Sequence, residues 1–176
     1  LIADEHADAS RFAAAVACSL DRKVCNTLNV CCIDGSRVAD LVPALLQGLK
    51  RAVSPTGSFR IHVLQGSENY LPSGLFSSLV VTTRDGRVVE EPIATMLPYS
   101  SLSTEWEWDE IPEISFVVVD GLDEAIRLFN QHSPRFVASL VSDNTTAQKY
   151  FFEAVRAPFI GNGFTRWADG QYALDK

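Results

Sequence analysis

The chain has 176 residues, 47% hydrophobic, 21% charged and 10% aromatic, which is enough to build a packed core and excludes disorder over most of its length. Its net charge of −7 excludes nucleic acid as the main partner, because a phosphate backbone needs a basic face. No apolar run reaches the length of a membrane span, and the longest, such as Ser115-Phe-Val-Val-Val119, are strand-sized. The first residue is Leu1 and the last two are Asp175-Lys176 with no evident cap, so the chain reads as cut from something longer. Cys18, Cys25, Cys31 and Cys32 lack the paired spacing of a zinc site and are too few for a disulfide scaffold. They read as reduced thiols in a cytosolic protein.

Leu1-Ile2-Ala3 opens like the end of a strand. Ala7 to Arg22 carries Phe12, Val16 and Leu20 on one face and predicts an amphipathic helix, with Asp8 favouring its first turn. Lys23-Val24-Cys25-Asn26 breaks the pattern, and Thr27 to Ile33 follows as a buried strand. Asp34-Gly35-Ser36 is a turn and cap signal for a helix over Arg37 to Ala52, with Val38, Leu41, Leu45 and Leu49 on one side. After a loop at Ser54-Pro-Thr-Gly57, the alternation in Phe59 to Leu64 predicts a strand, and Gln65 to Ser77 is irregular. Leu79 to Thr83, Arg84-Asp-Gly-Arg87 and Val88-Val89 predict a hairpin, since Asp-Gly suits a tight turn. Beyond the polar, aromatic stretch Tyr99 to Asp109, the order becomes βαβαβ. It has strands at Ile114 to Val119, Phe136 to Val141 and Phe159-Ile160, and helices at Leu122 to Gln131 and Thr145 to Val155. Such alternation predicts an α/β fold with a largely parallel central sheet flanked by helices in three layers.

Three clusters carry candidate chemistry. Cys25 sits between a helix and a buried strand, where backbone N–H groups can meet an oxyanion, and Arg22 and Lys23 precede it. By position alone the inert, buried cysteine is the commoner reading, as it is for Cys31 and Cys32 in the strand and Cys18 on the helix. Gly161-Asn-Gly-Phe-Thr-Arg-Trp-Ala-Asp-Gly170 follows a strand, and Arg166 with Thr165 suits a carboxylate or phosphate; the alternative is a surface turn. Glu105-Trp-Glu-Trp-Asp-Glu110 offers carboxylates, although an acidic loop with its tryptophans packed on the core explains most of it. His6, His62 and His132 are widely separated with no acidic residue at ligand spacing, so no metal site is expected. There is no phosphate-binding Walker loop and no glycine-rich dinucleotide fingerprint.

Three blocks resemble the γ-glutamyl phosphate reductase family of the aldehyde dehydrogenase superfamily. Ala7-Asp8 with Val24-Cys25-Asn26 resembles the family's "AD…VCNA". Val118-Val-Asp-Gly-Leu-Asp-Glu-Ala-Ile126 resembles "VVDSLDEAI", and Asn162-Gly-Phe-Thr-Arg-Trp-Ala-Asp-Gly170 resembles "NASTRFTDG". Their order and spacing agree with the family across nearly the whole chain.

The resemblance implies that residues 1–176 form the catalytic domain, with the cofactor-binding domain outside this chain, and that the piece alone binds NADP(H) poorly. It implies Cys25 as nucleophile, Asn26, Asn162, Thr165 and Arg166 as substrate-binding residues, and Glu107 (or, in competition, Glu110) beside the nicotinamide ribose. It further implies NADPH-dependent reduction of an acyl phosphate in proline biosynthesis, in a cytoplasmic homo-oligomer that has a small-molecule substrate and no membrane partner. The chain departs from the family at Gln131-His-Ser-Pro-Arg135, where a Gly-Ser-Gly-His-like stretch is usual, and at Gly163-Phe164, where Ala-Ser is usual. Residues 54–98 match nothing in it. Two alternatives stand beside this reading: an aldehyde dehydrogenase relative with another aldehyde or acyl substrate, and a non-catalytic domain that retains the fold.

Overall fold

A computed structural model describes residues 1–52 and 57–165. Its strands are β1 (Ile2–Ala3), β2 (Val30–Asp34), β3 (Arg60–Leu64), β4 (Leu79–Arg84), β5 (Arg87–Pro92), β6 (Ala94–Leu97), β7 (Glu113–Val119), β8 (Val137–Val141) and β9 (Phe159–Gly161). Its helices are α1 (Ala9–Cys18), α2 (Val38–Ala52), α3 (Gly74–Ser77), α4 (Gly121–His132) and α5 (Thr145–Ala154). The expected α/β architecture is present: seven strands in the order β6-β3-β7-β2-β1-β8-β9 form one sheet. Every neighbouring pair in that sheet is parallel. α4 carries the chain from β7 past two strands to β8, so consecutive strands of the βαβαβ unit are not all neighbours.

Side-chain alternation along the strands divides the core into two layers. Cys31, Ile33, Ile114 and Phe116 pack with Phe12 and Val16 of α1 and Leu41, Leu45 and Leu49 of α2. Cys32, Val117 and Val119 point the other way, onto Ala125, Ile126 and Leu128 of α4 and Phe151 of α5. Burying both faces is what a parallel sheet requires. Asp8 caps α1 by accepting from Arg11 N–H at 2.7 Å, and Asp34 accepts from Ser36 N–H at 2.9 Å where the chain enters α2. α1 and α2 cross closely at Gly48, where an added Cβ would lie 2.7 Å from the Ala13 carbonyl oxygen. Only glycine fits that crossing.

The β4–β5 hairpin forms as expected, with Asp85 and Gly86 both at positive φ, 51° and 74°, the pattern of a type I′ turn. The strand expected at Phe59 to Leu64 forms as β3, and all five of its residues are buried. β6 and β7 flank it, and its polar residues are absorbed by ion pairs. β6 itself went unanticipated, as did α3 and the 3₁₀ turn Glu68–Tyr70 inside the stretch read as irregular. β2 starts only at Val30, because residues 27–29 are used in the preceding loop. Among the described residues, no helix is long and apolar enough to cross a membrane. Ser54, Pro55 and Thr56 of the expected loop lie outside the described residues.

Candidate active site

The loop from α1 to β2 is folded by its own polar groups. Leu28 N–H donates to the Ser19 carbonyl at 3.0 Å, drawing the two ends of the loop together. Inside it, Thr27 N–H donates to the Val24 carbonyl at 3.1 Å, closing a four-residue turn with Cys25 and Asn26 at its centre. The Thr27 hydroxyl locks that turn, accepting from Val24 N–H at 2.8 Å and donating to the Arg22 carbonyl at 2.7 Å. Asn29 ties the loop to the acidic–aromatic stretch: its amide donates to the Thr104 carbonyl at 2.8 Å and accepts from Trp106 N–H at 2.9 Å. Two of the turn's own amides, those of Val24 and Thr27, are thus engaged. Those of Cys25 and Asn26 form no bond among the described residues, which is the usual fate of the central amides of a turn.

The four thiols now separate. Cys31 and Cys32 are buried, and desolvation pushes them up to about 12 and about 11. Cys18 is half-buried, and Cys25 is the exposed one. Cys25 lines a cavity of about 90 Å³ at the amino ends of β2 and β8, together with Lys23, Asn26 and Thr165. This lies at the opposite end of the sheet from the carboxyl ends, where ligands most often bind in such folds. Asn26 and Thr165 are 3% and 4% exposed, and neither Asn26 Oδ1 nor Thr165 Oγ1 has a hydrogen-bond partner among the described residues. Unpartnered buried polar atoms are rare and costly, and two on one cavity mark it as a place for a polar ligand.

The expected site residues are therefore partly gathered. Thr165 reaches the cavity because the segment after β9 turns back: Gly163 N–H donates to Ser139 Oγ at 2.9 Å, and Thr165 N–H donates to Ser19 Oγ at 2.9 Å. Glu107 is 79% exposed and lies 3.8 Å from the ammonium of Lys23. Asn162 instead lines a separate hollow with Leu140, Phe151 and Ile160. Arg166, with Trp167, Asp169 and Gly170 of the same motif, lies outside the described residues.

A second polar centre was missed from the sequence. Glu113, 1% exposed, accepts from Arg60 at 3.0 Å and His62 at 2.9 Å through Oε2, and its Oε1 pairs with Arg84 at 2.5 Å. Because an ionised carboxylate only accepts, His62 carries a proton on Nε2. Arg84 and Arg60 also meet Glu91 at 2.8 and 3.1 Å, so the hairpin is tied to the sheet. Trp106 stacks on His62 with ring centroids 3.4 Å apart and donates to Ser115 Oγ at 2.9 Å. The tryptophans of the acidic stretch do pack inward, Trp108 against the α1–α2 side of the core. Burial alone would raise the Glu113 carboxyl. Hydrogen bonds from His62 and Arg84 and the charges of Arg60 and Arg84 outweigh it and hold the group below the usual range. The available signal was a strand with Arg60 and His62 inside it and a glutamate opening another.

Comparison with known proteins bears on the same regions. No family model matches the chain. Over 85 residues, 46% of the chain, it is 33% identical to γ-glutamyl phosphate reductase 1 of Bacillus licheniformis, a stretch covering 20% of that protein. The crystal structure of γ-glutamyl phosphate reductase from Thermotoga maritima superposes with a TM-score of 0.73 at 18% identity, covering 98% of this chain and 36% of that one. An NAD-dependent benzaldehyde dehydrogenase from Corynebacterium glutamicum superposes with a TM-score of 0.59 at 17% identity, covering 98% of this chain and 40% of that one. The chain thus spans about one fifth of the curated relative and just over a third of the first of these structures. Its fold is the one found in aldehyde dehydrogenases, and its sequence is similar to part of γ-glutamyl phosphate reductase.

Proposed function

We propose that this chain is the catalytic domain of an NADPH-dependent reductase that converts γ-glutamyl phosphate to glutamate-5-semialdehyde through a thioester on Cys25, a step of proline biosynthesis. The observation that carries the reading is the Cys25 turn: an exposed thiol beside two backbone amides, over a cavity with two buried polar atoms, none of these amides and atoms having a hydrogen bond among the described residues. In the acyl-transfer step the Cys25 thiolate attacks the acyl carbon. A C–S bond forms, the C–O bond to phosphate breaks, and inorganic phosphate departs with the electron pair. The amides of Cys25 and Asn26 are placed to meet the oxyanion that develops on the acyl oxygen, with Asn26 and Thr165 positioning the substrate. Asn162, which lines a separate hollow, and Arg166 are assigned to the substrate's anionic groups by the family resemblance alone.

NADPH, when bound, supplies the hydride that takes the thioester to the aldehyde. This chain's contribution to holding it is read as Glu107, an exposed carboxylate 3.8 Å from the Lys23 ammonium that suits a ribose hydroxyl; the remainder of the cofactor site is read as belonging to a domain outside this chain. Glu110 on the same stretch competes for that role. The surrounding protein is read as a cytoplasmic homo-oligomer.

The test is an assay of the full-length protein with NADP⁺, phosphate and glutamate-5-semialdehyde, beside Cys25→Ser. Phosphate-dependent NADPH formation is expected in the wild type, with a loss of several orders of magnitude in the variant. Activity that ignores phosphate would instead indicate an aldehyde dehydrogenase with another substrate, and full activity in Cys25→Ser would overturn the mechanism.

A further inference from the structure

We propose that Lys23 is the phosphate-binding residue of the Cys25 cavity and that Glu107 is its resting counter-ion, displaced when the phosphate group arrives. The inference rests on reading Cys25 as the nucleophile of an acyl-phosphate reaction. It adds a cation beside the nucleophile for the leaving group, a residue outside the set Asn26, Asn162, Thr165 and Arg166 that the resemblance implies.

Lys23 stands two residues before Cys25 on the wall of the same cavity, and its side chain is only 16% exposed. Its methylene stem is packed on the cavity wall while the ammonium at its end stays accessible to an incoming anion. The one ion pair it makes among the described residues is with Glu107 at 3.8 Å, a long contact, and that carboxylate is 79% exposed and solvated. The lysine is thus held on the cavity wall with its ammonium only loosely paired. Independently, Asn26 Oδ1 and Thr165 Oγ1 are buried in the same cavity with no partner. A tetrahedral phosphate suits the donors here: the ammonium answers its charge, and the Thr165 hydroxyl and the turn amides of Cys25 and Asn26, unbonded among the described residues, donate to its oxygens, whereas Asn26 Oδ1 only accepts and gains nothing from it. Glu105 also lines the cavity and opposes an anion. Binding consequently depends on Lys23, and Glu107 competes with phosphate for it. In the acyl-transfer step Lys23 would neutralise the charge that gathers on phosphate as the C–O bond breaks, with no change in oxidation state.

The experiment measures alkylation of Cys25 by iodoacetamide, read on its peptide by mass spectrometry, at constant ionic strength with and without inorganic phosphate. Phosphate is expected to slow the reaction saturably in the wild type. Lys23→Gln should weaken that protection by about tenfold or more, the loss of one charged contact. Lys23→Arg should retain it, and Glu107→Gln should strengthen it. Far-UV circular dichroism on each variant separates these effects from misfolding. Equal protection in Lys23→Gln and wild type would overturn the proposal, and so would protection by acetate as strong as that by phosphate. Lysine-dependent protection in a protein that shows no phosphate-dependent NADPH formation would uphold the anion site while removing the reductase reading.

Discussion

The Cys25 cavity and the Glu113 cluster lie at the same end of the sheet and use similar residues, yet they finish their hydrogen bonding in opposite ways. Around Glu113, two arginines, a histidine and a second carboxylate converge: Oε2 accepts from Arg60 and His62, and Oε1, which has no well-aligned hydrogen bond among the described residues, is held by its ion pair with Arg84. Around Cys25, a lysine reaches its carboxylate only at 3.8 Å, and the buried Asn26 Oδ1 and Thr165 Oγ1 have no partner of any kind among the described residues. A buried polar group that the protein satisfies by itself holds structure together; one left open is waiting for something else. The contrast makes Glu113 a joint between hairpin and sheet, and Cys25 the place where chemistry enters.

The largest effect should follow from breaking the joint. Glu113→Ala leaves Arg60 buried at 4% exposure without its main partner, and removing one member of a buried pair typically costs about 3–5 kcal/mol. Urea denaturation would show this as a lower midpoint. A loss under about 1 kcal/mol would mean that Glu91 alone can hold both arginines. The same carboxylate sets a pH dependence. Its pKa is held below the ordinary value in the folded chain, so its contribution is complete above the unfolded value of about 4.3 and is lost as pH falls through the folded one. Wild type should therefore lose stability on acidification more steeply than Glu113→Gln.

A smaller effect of opposite sign is expected at the cavity. Thr165→Val removes an unpartnered hydroxyl and keeps the shape of the side chain, so it should stabilise the fold by about 1 kcal/mol. It should also weaken phosphate protection of Cys25. A destabilised Thr165→Val would show that the hydroxyl has a partner in solution and would blur the contrast between the two centres.

The difference between the centres also explains what could be read from the sequence. The parallel sheet, its helices and the Asp-Gly hairpin were legible because each depends on local periodicity or a two-residue signal. The position of Cys25 in a break between α1 and β2 was legible for the same reason. The Glu113 cluster was not, since it joins residues of β3, β4, β5 and β7, and strand order is a tertiary property. With β6 unrecognised, nothing in the sequence showed that β3 is an interior strand with Arg60 and His62 buried beside Glu113. Nor did the sequence suggest that Thr165 would reach Cys25 while Asn162, three residues earlier, would not. That separation depends on the bonds of Gly163 to Ser139 and of Thr165 to Ser19.

The smallest effect concerns the loop after α4, which walls the cavity through His132, Ser133, Pro134 and Phe136. Within it Arg135 has φ 57°, in the left-handed region that favours glycine, and the resemblance places glycine-rich sequence here. Its N–H donates to Ser133 Oγ and its guanidinium to the Asn130 carbonyl, each at 3.0 Å. These bonds offset part of a strain of about 1–2 kcal/mol. Replacing Arg135 with alanine keeps the strain and loses the side-chain bond, while replacing it with glycine loses the bond and relieves the strain. Arg135→Gly should therefore be more stable than Arg135→Ala by about 1 kcal/mol, the reverse of the order at ordinary positions. Denaturation of the pair decides it: an alanine variant at least as stable as the glycine one would show that the loop carries no such strain in solution. Cys25 alkylation in the glycine variant then tells whether that strain shapes the cavity, and an unchanged rate would confine its role to the loop.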